Sequence, residues 1–444
     1  MEPNMNKALT FIILFVLTAC ETTSSNNTSI DKPIMSCKQN KNLSVLNKNF
    51  QNDSVEVEAL DGLNILIADT KIPIAKKTTF DKAGLYNLFK TEYFWADKTP
   101  RNLNINNYNE PQKLIDDAKY SVDRWSFAIT PEIYNNAISQ KSVGFGFACQ
   151  NINLGCLITM VRIDSPADKI DLRRGDIIQK IDGAEVTREL IYTKGQEDKS
   201  VEFEILRQNS DEICTGNVTP REYTYKVVEY KTIKNRSSKE IGYLRLDSFL
   251  GDDKILAQLD NAFEYFQKKY VEKLVIDLRY NGGGSVDLAS KLLDKLAINR
   301  KNQTQFTLAW NNNYTKKNQV YKFKHASNAL DLKQIIFLTT RATASASELV
   351  ISAMKPYLPE EDIVIIGDKT HGKPVGMNGQ SDGSYYYFLI NFVVQNSLGF
   401  YDYFEGLPVT TGCNVKDDPF HEMGDPKESM FKSALQYINR GSCQ

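Results

Sequence analysis

Two short segments carry side chains that could do covalent chemistry together. Thr343-Ala344-Ser345-Ala346-Ser347-Glu348 follows the apolar run Ile335 to Leu338 and opens a helical pattern. A hydroxyl nucleophile is well served at such a strand-to-helix corner: its oxygen is exposed, and the next backbone N–H points toward the same spot. Gly367-Asp368-Lys369-Thr370-His371-Gly372-Lys373 follows another apolar run, Ile363 to Ile366. Neighbouring parallel strands end on the same side of a sheet, so Ser345 and Lys373 can meet there. A lysine acts as general base only when neutral. Its free pKa is about 10.4 and catalysis favours about 7–8, so the lysine must be buried against apolar neighbours. A third segment, Asn281-Gly282-Gly283-Gly284-Ser285, ends the run Leu274 to Leu278. Its amides, with that of Ala346, form the expected oxyanion hole through Gly283, Gly284 and Ala346, worth about 2.7–4 kcal/mol per donor.

Each residue also has a plainer reading. Ser345 with Glu348 has the spacing of a helix capping box, which accounts for both without chemistry. For Lys373 the plainer reading is a solvated loop lysine. His371 is the alternative base of a Ser–His pair, but two residues from Lys373 on extended chain it faces the opposite side. His325 and His421 lie in polar stretches and are read as bystanders. Asp277 and Arg279, at the end of a buried strand, suit structural pairing, and Asp247 with Ser248 would shape the cleft.

These segments need a scaffold, and the rest of the chain supplies one. A chain of 444 residues is too long for one ordinary core. Hydrophobic residues at 41% and charged residues at 25% suit a folded, water-facing body, and a net charge of -1 gives no attraction to nucleic acid. From about residue 240 onward, buried strand runs alternate with helical patterns, which indicates an α/β core. Residues 75–137 read as a small helical unit, with Phe80, Leu85, Leu88, Phe89 and Tyr93 at helical spacing. Residues 138–230 read as short strands and turns, including Ile177 to Ile181 closed by Asp182-Gly183.

Within that β-rich stretch, Val143-Gly144-Phe145-Gly146-Phe147, Ser165-Pro166-Ala167-Asp168 and Leu172-Arg173-Arg174-Gly175-Asp176-Ile177-Ile178 together resemble a PDZ domain. The glycines let successive backbone N–H groups point into one concavity that suits a terminal carboxylate. Val143, Phe145 and Phe147 are the expected pocket lining. A spacer with a silent groove is the alternative.

The first twenty residues resemble a lipoprotein signal: Lys7, an apolar run from Ala8 too short to span a bilayer, then Leu17-Thr18-Ala19-Cys20. This implies lipidation at Cys20, a tether over 21–74, and a place in the bacterial cell envelope. Glu21 favours the outer membrane, facing the periplasm. Six further cysteines suggest disulfides in an exported protein. Cys149–Cys156, around a plausible hairpin, is the first expected pair and Cys413–Cys443 the second. Zinc is the alternative, disfavoured by three histidines and no Cys-x-x-Cys.

Four blocks in order, Gly242 to Phe249, Val275 to Gly284, Ser345-Ala346-Ser347-Glu348 and Gly367 to Lys373, resemble the C-terminal (tail-specific) processing peptidases across residues 75 to 440. The resemblance implies a crotonase-like (ClpP/crotonase) α/β core over 231–444 with an inserted PDZ domain, and serine endopeptidase activity through Ser345 and Lys373. It implies a polypeptide substrate, engaged through its C-terminus, and no metal or cofactor. It also leaves Glu348, matching an acidic residue that some members use nearby, as a candidate catalytic residue. The chain departs from the family at His371, where Phe or Tyr is usual, and at Gly282, where Pro is common. Met377 stands where many members carry a glutamine that orients the lysine. Two other classes remain: a non-catalytic peptide-binding lipoprotein, and a crotonase-like small-molecule binder or acyl hydrolase.

Overall fold

Strands that are apolar on every residue must be covered on both faces, and the central sheet shows how. The computed structural model describes residues 35–39, 80–138, 141–207, 210, 212–251 and 253–443. The expected signal segment, Cys20 and most of the tether lie outside the described residues. Among the described residues no helix is long and apolar enough to cross a membrane.

In chain order the elements are β1 (Ser36–Gln39), α1 (Lys82–Thr91), α2 (Pro111–Ala118), β2 (Phe127–Ile129), α3 (Pro131–Ile138), β3 (Lys141–Gly144), β4 (Phe147–Ile152), β5 (Gly155–Val161), α4 (Pro166–Lys169), β6 (Ile177–Ile181), β7 (Ala184–Glu185), α5 (Arg188–Gly195), β8 (Val201–Leu206), β9 (Glu212–Val218) and β10 (Arg221–Thr224). They continue with β11 (Val228–Lys234), β12 (Glu240–Leu246), α6 (Asp253–Lys268), β13 (Lys273–Asp277), α7 (Val286–Leu296), β14 (Thr304–Trp310), β15 (Gln319–Lys322), β16 (Gln334–Thr339), α8 (Ala346–Met354), β17 (Ile363–Gly367), β18 (Val375–Ser381), β19 (Tyr386–Asn396) and α9 (Ser429–Arg440).

The central sheet runs β11-β12-β13-β16-β17, parallel except for the β11 edge. Its side chains alternate between two cores, as the period of a strand requires. Leu244, Leu274, Ile276, Ile335, Phe337 and Ile365 pack with α6, α7 and α8. Tyr243, Val275, Ile336, Leu338, Val364 and Ile366 pack with Met430, Phe431, Ala434 and Ile438 of α9. Each buried side chain of this size contributes about 1.5–3 kcal/mol. Pairs such as Asp277 with Leu338 and Thr339 with Gly367 show that β13, β16 and β17 end together, so the loops that follow them share one edge.

A second sheet, β15-β14-β19-β18, is antiparallel, with β2 added to β19. The N-terminal helices pack onto it. Leu85, Phe89, Tyr93, Leu114, Ile115 and Trp125 form one core with Val375, Tyr387, Leu389 and Ile390. The helical unit expected at 75–137 therefore includes a strand and shares its core with the C-terminal half.

The β-rich stretch folds as an antiparallel sheet, β1-β9-β8-β6-β5-β4, with β7 on β6 and its own core around Ile158, Ile178, Phe203 and Ile205. The expected boundary at 230 falls inside β11, which belongs to the central sheet. Residues 36–39, expected as tether, form β1 on β9, fastened by a Cys37–Cys214 disulfide. The polar Ser-Cys-Lys-Gln has no apolar alternation to mark it as a strand. Cys149–Cys156 staples the β4–β5 hairpin, and Cys413–Cys443 ties the loop beside β17 to the end of α9. Cys37, Glu212 and Cys214 cluster, but with both sulfurs in a disulfide they offer no thiolate to a metal.

Candidate active site

The loops after β13 and β16 are stitched into one edge by short polar side chains. Thr343 Oγ1 donates to the Leu278 carbonyl at 2.8 Å. The Ala344 N–H (3.1 Å) and Ser347 Oγ (3.0 Å) both donate to the Asn281 carbonyl. The Asn281 side chain donates to the Leu246 carbonyl at 2.8 Å and is fully buried. Phe249 completes the brace: its N–H donates to the Gly283 carbonyl and its carbonyl accepts the Ser285 N–H, each at 2.9 Å.

Ser345 sits at the corner these contacts create. Its φ of 56° and ψ of −115° are sparsely populated for a residue with a side chain. Such a conformation costs about 1–3 kcal/mol and persists only where the surroundings over-determine it. Gly283 makes room for it. A Cβ on Gly283 would lie 2.7 Å from Ser345 Cβ and 2.9 Å from the Ala346 nitrogen.

Glu348 joins this corner to the loop after β17. Its carboxylate is fully buried and accepts four hydrogen bonds. Oε2 receives the amides of Ser345 (2.9 Å) and Lys373 (2.8 Å). Oε1 receives the Gly372 amide at 2.7 Å and the Thr370 hydroxyl. One oxygen thus holds the backbones of both sequence-predicted residues. Burial pushes the Glu348 carboxyl above its usual range, against the pull of these donors. The capping-box spacing accounts for the Ser345 contact; the other three donors come from the β17 loop and have no local sequence signal.

Lys373 is brought to the same edge. Burial pulls its ammonium down to about 8, while the carboxylates of Asp123 and Glu348 favour the charged form. Lys373 Nζ has no hydrogen-bond or ion-pair partner among the described residues. His371 turns elsewhere: its N–H donates to the Thr343 carbonyl at 2.9 Å, and its Nε2 accepts the Trp125 indole N–H at 3.3 Å. Met377 is half-buried on β18 and packs toward the N-terminal helices.

The expected oxyanion donors divide. The Gly283 N–H is already given to Asn281 Oδ1 at 2.9 Å, so Gly283 contributes space and not a free donor. The amides of Gly284 and Ala346 have no acceptor among the described residues. The aspartates and arginines near the strand ends are paired. Arg279 is bound by Asp277, Asp417 and Glu428, and Arg174 reaches Asp417 at 2.7 and 2.8 Å. Burial pushes the Asp417 carboxyl up, and the two guanidiniums outweigh it, holding it well below the usual range. Asp247 forms a bidentate pair with Arg245, and Ser248 Oγ accepts the Leu250 N–H. His421 pairs with Asp418, and His325 is exposed.

In the β-rich sheet, Val143 and Gly144 lie in β3, paired with β10. Phe145 and Phe147 are not an open pocket wall: both are buried in the sheet's own core, with Phe203 beside each ring. The amides of Phe145 and Gly146 have no acceptor among the described residues, and β4 is the last strand of its sheet.

Comparison with known proteins shows what the chain is similar to. The model of peptidase family S41 matches residues 240–388, and that of the peptidase S41 N-terminal domain matches residues 82–127. The chain is 30% identical over 233 residues to a carboxy-terminal-processing protease of Bartonella bacilliformis, covering 49% of this chain and 50% of that one. It is 28% identical over 250 residues to a probable CtpA-like serine protease of Staphylococcus haemolyticus, covering 54% and 46%. The chain spans about half the length of these curated relatives. The crystal structure of a putative S41 protease from Bacteroides fragilis shares the fold, with a TM-score of 0.69 and 23% identity over 82% of this chain and 98% of that one.

Proposed function

We propose that this chain is a serine endopeptidase of the C-terminal-processing kind within peptidase family S41, a family of serine proteases, with Ser345 as nucleophile and Lys373 as general base. The observation that carries the reading is the shared Glu348 oxygen, which holds the amides of Ser345 and Lys373 together.

Neutral Lys373 takes the proton from Ser345 Oγ as that oxygen bonds to the scissile carbonyl carbon. The carbonyl oxygen becomes an oxyanion, received by the Ala346 and Gly284 amides. The tetrahedral species collapses, the C–N bond breaks, and the Lys373 ammonium gives its proton to the leaving amine. Water then attacks the Ser345 ester with Lys373 again as base, releasing the acid and restoring the serine. With Lys373 near 8, the base is largely protonated below that value and the rate falls tenfold per pH unit.

The core that carries this chemistry is crotonase-like in our reading, with its Ser/Lys pair at the carboxyl edge of the parallel strands. The β-rich sheet is its PDZ domain. The amides of Phe145 and Gly146, without an acceptor among the described residues, suit a terminal carboxylate, and the edge of β4, the last strand of its sheet among the described residues, suits an added substrate strand. Lipidation at Cys20 would hold the enzyme in the cell envelope, on the periplasmic face of the outer membrane, where exported polypeptides are its substrates. The three disulfides accord with an oxidising compartment.

The test is digestion of unfolded peptides that differ only at the C-terminus, free acid against amide, by the full-length chain and by Ser345→Ala. Cleavage by the wild type, slower on the amide and absent in Ser345→Ala, is the expected result. Equal rates on both peptides would remove the C-terminal preference, and cleavage retained by Ser345→Ala would remove the nucleophile.

A further inference from the structure

The loop that carries Lys373 is met, at His371 and Gly372, by a segment from the other end of the chain. Residues 123–126 lead from α2 into β2 and close on the Asp123 side chain as an Asx turn. Asp123 is 2% exposed. Its Oδ1 accepts the amides of Trp125 (2.9 Å) and Ser126 (3.0 Å). Its Oδ2 accepts the Tyr93 hydroxyl (2.8 Å) and the Ser126 hydroxyl. Ser126 Oγ in turn accepts the Ile390 amide at 3.1 Å, which locks the turn to β19.

The other side of the turn rests on the residues just before Lys373. Arg124 Nη2 donates to the carbonyls of His371 (3.4 Å), Gly372 (3.5 Å) and Phe404 (3.0 Å). Trp125 Nε1 donates to His371 Nε2 at 3.3 Å, so that ring nitrogen carries no proton. The loop is therefore gripped from two directions, by Glu348 beneath the serine and by the 123–126 turn.

We infer that Asp123 is a positioning residue for Lys373: a buried carboxylate, fixed by four donors, that serves as counter-charge to the ammonium formed once the lysine has taken the serine's proton. The inference rests on Lys373 being the base. Four donors keep the Asp123 carboxylate from swinging onto the lysine as a permanent ion pair, so its field acts without sequestering Nζ. Of the other charged or titratable groups around this loop, Glu348 also favours the ammonium, less strongly than Asp123, while its donors tie the two loops together, and Tyr403 is buried beside it. His371 is spent on Trp125, and Arg124 is turned to carbonyls. Burial depresses Lys373, and Asp123 offsets that more strongly than Glu348 does.

The sign of the expected effect follows. Removing the Asp123 charge disfavours the lysine ammonium, so the acid limb of the pH–rate profile moves to lower pH. In the full-length chain, Asp123→Asn is expected to move that limb down by about one unit and to lower the plateau of kcat/KM by about tenfold. Asparagine still accepts the two turn amides through its oxygen, and the two hydroxyls can rotate to accept from its NH2. Tyr93→Phe removes a donor from the carboxylate, sharpening its field, and is expected to move the limb the other way. This second variant serves where Asp123→Asn does not fold. A limb that stays put in every folded variant overturns the inference. Lys373→Ala runs alongside: if it retains activity, the base assignment itself has failed; if it is inactive while the limbs stay put, only the role of Asp123 has failed.

Discussion

Lys373→Met will abolish most of the peptidase activity and, in the same experiment, raise the melting temperature. Methionine fills nearly the same volume but has no amine, so general-base catalysis, worth about 10²–10⁴-fold, is lost. The stability gain comes from burial. The folded pKa of Lys373 is about 8 against an ordinary 10.5. The unfolded chain therefore binds the proton more tightly, and folding at neutral pH opposes it. For a base depressed on folding, this penalty is fully present below about 8 and disappears as pH rises to about 10.5. Methionine has no such penalty and should gain about 1–3 kcal/mol at pH 7, fading to nothing above pH 10.5. Activity assays and thermal melts at pH 7 and pH 10.5 check both halves. A variant that loses activity and stability together would mean that Lys373 is a structural lysine.

Glu348→Gln is the contrasting case, expected to lose both. The carboxylate presents two oxygens, and each receives two donors. An amide group must turn its NH2 toward one pair. Toward Ser345 and Lys373 it meets two N–H donors; toward Gly372 and Thr370 it meets one N–H and one hydroxyl that can rotate. Either way at least one buried N–H loses its acceptor, at about 1–3 kcal/mol. The loop shift that relieves this moves Lys373 relative to Ser345, and a displacement of about 1 Å is enough to cost roughly 10²-fold in rate. The melting temperature should fall while kcat falls and KM holds. An unchanged kcat would show that Glu348 serves the fold alone.

The site was legible where chemistry sits at strand ends. Ser345, Lys373 and the glycine loop each follow an apolar run, and parallel strands bring such ends together without further information. What escaped was what reaches across the chain. Glu348 looked like half of a capping box because its nearest partner, Ser345, is local; its other three donors lie on another loop. The 123–126 turn gives no sign of its destination in its own residues, although an aspartate followed by Trp125 and Ser126 amides has the makings of an Asx turn. Glycine loops expose amides, which suggests a donor at Gly283, yet the Asn281 side chain two residues earlier claims that N–H. Phe145 and Phe147 alternate with glycine as pocket residues would, but the core around Phe203 has the stronger demand for apolar surface. β1 is held by main-chain pairing and a disulfide to a partner on the far side of the sheet's sequence, a link no local pattern encodes.

The most direct test of the Ser345–Lys373 pair is to catch the acyl-enzyme. The full-length chain is mixed with an unfolded polypeptide, quenched in acid at short times, digested and mapped by mass spectrometry, beside Ser345→Ala and Lys373→Ala. The account predicts an ester on Ser345 in the wild type that accumulates and decays with turnover, and none in either variant. An ester on another residue, or wild-type turnover that continues in Ser345→Ala, would contradict it.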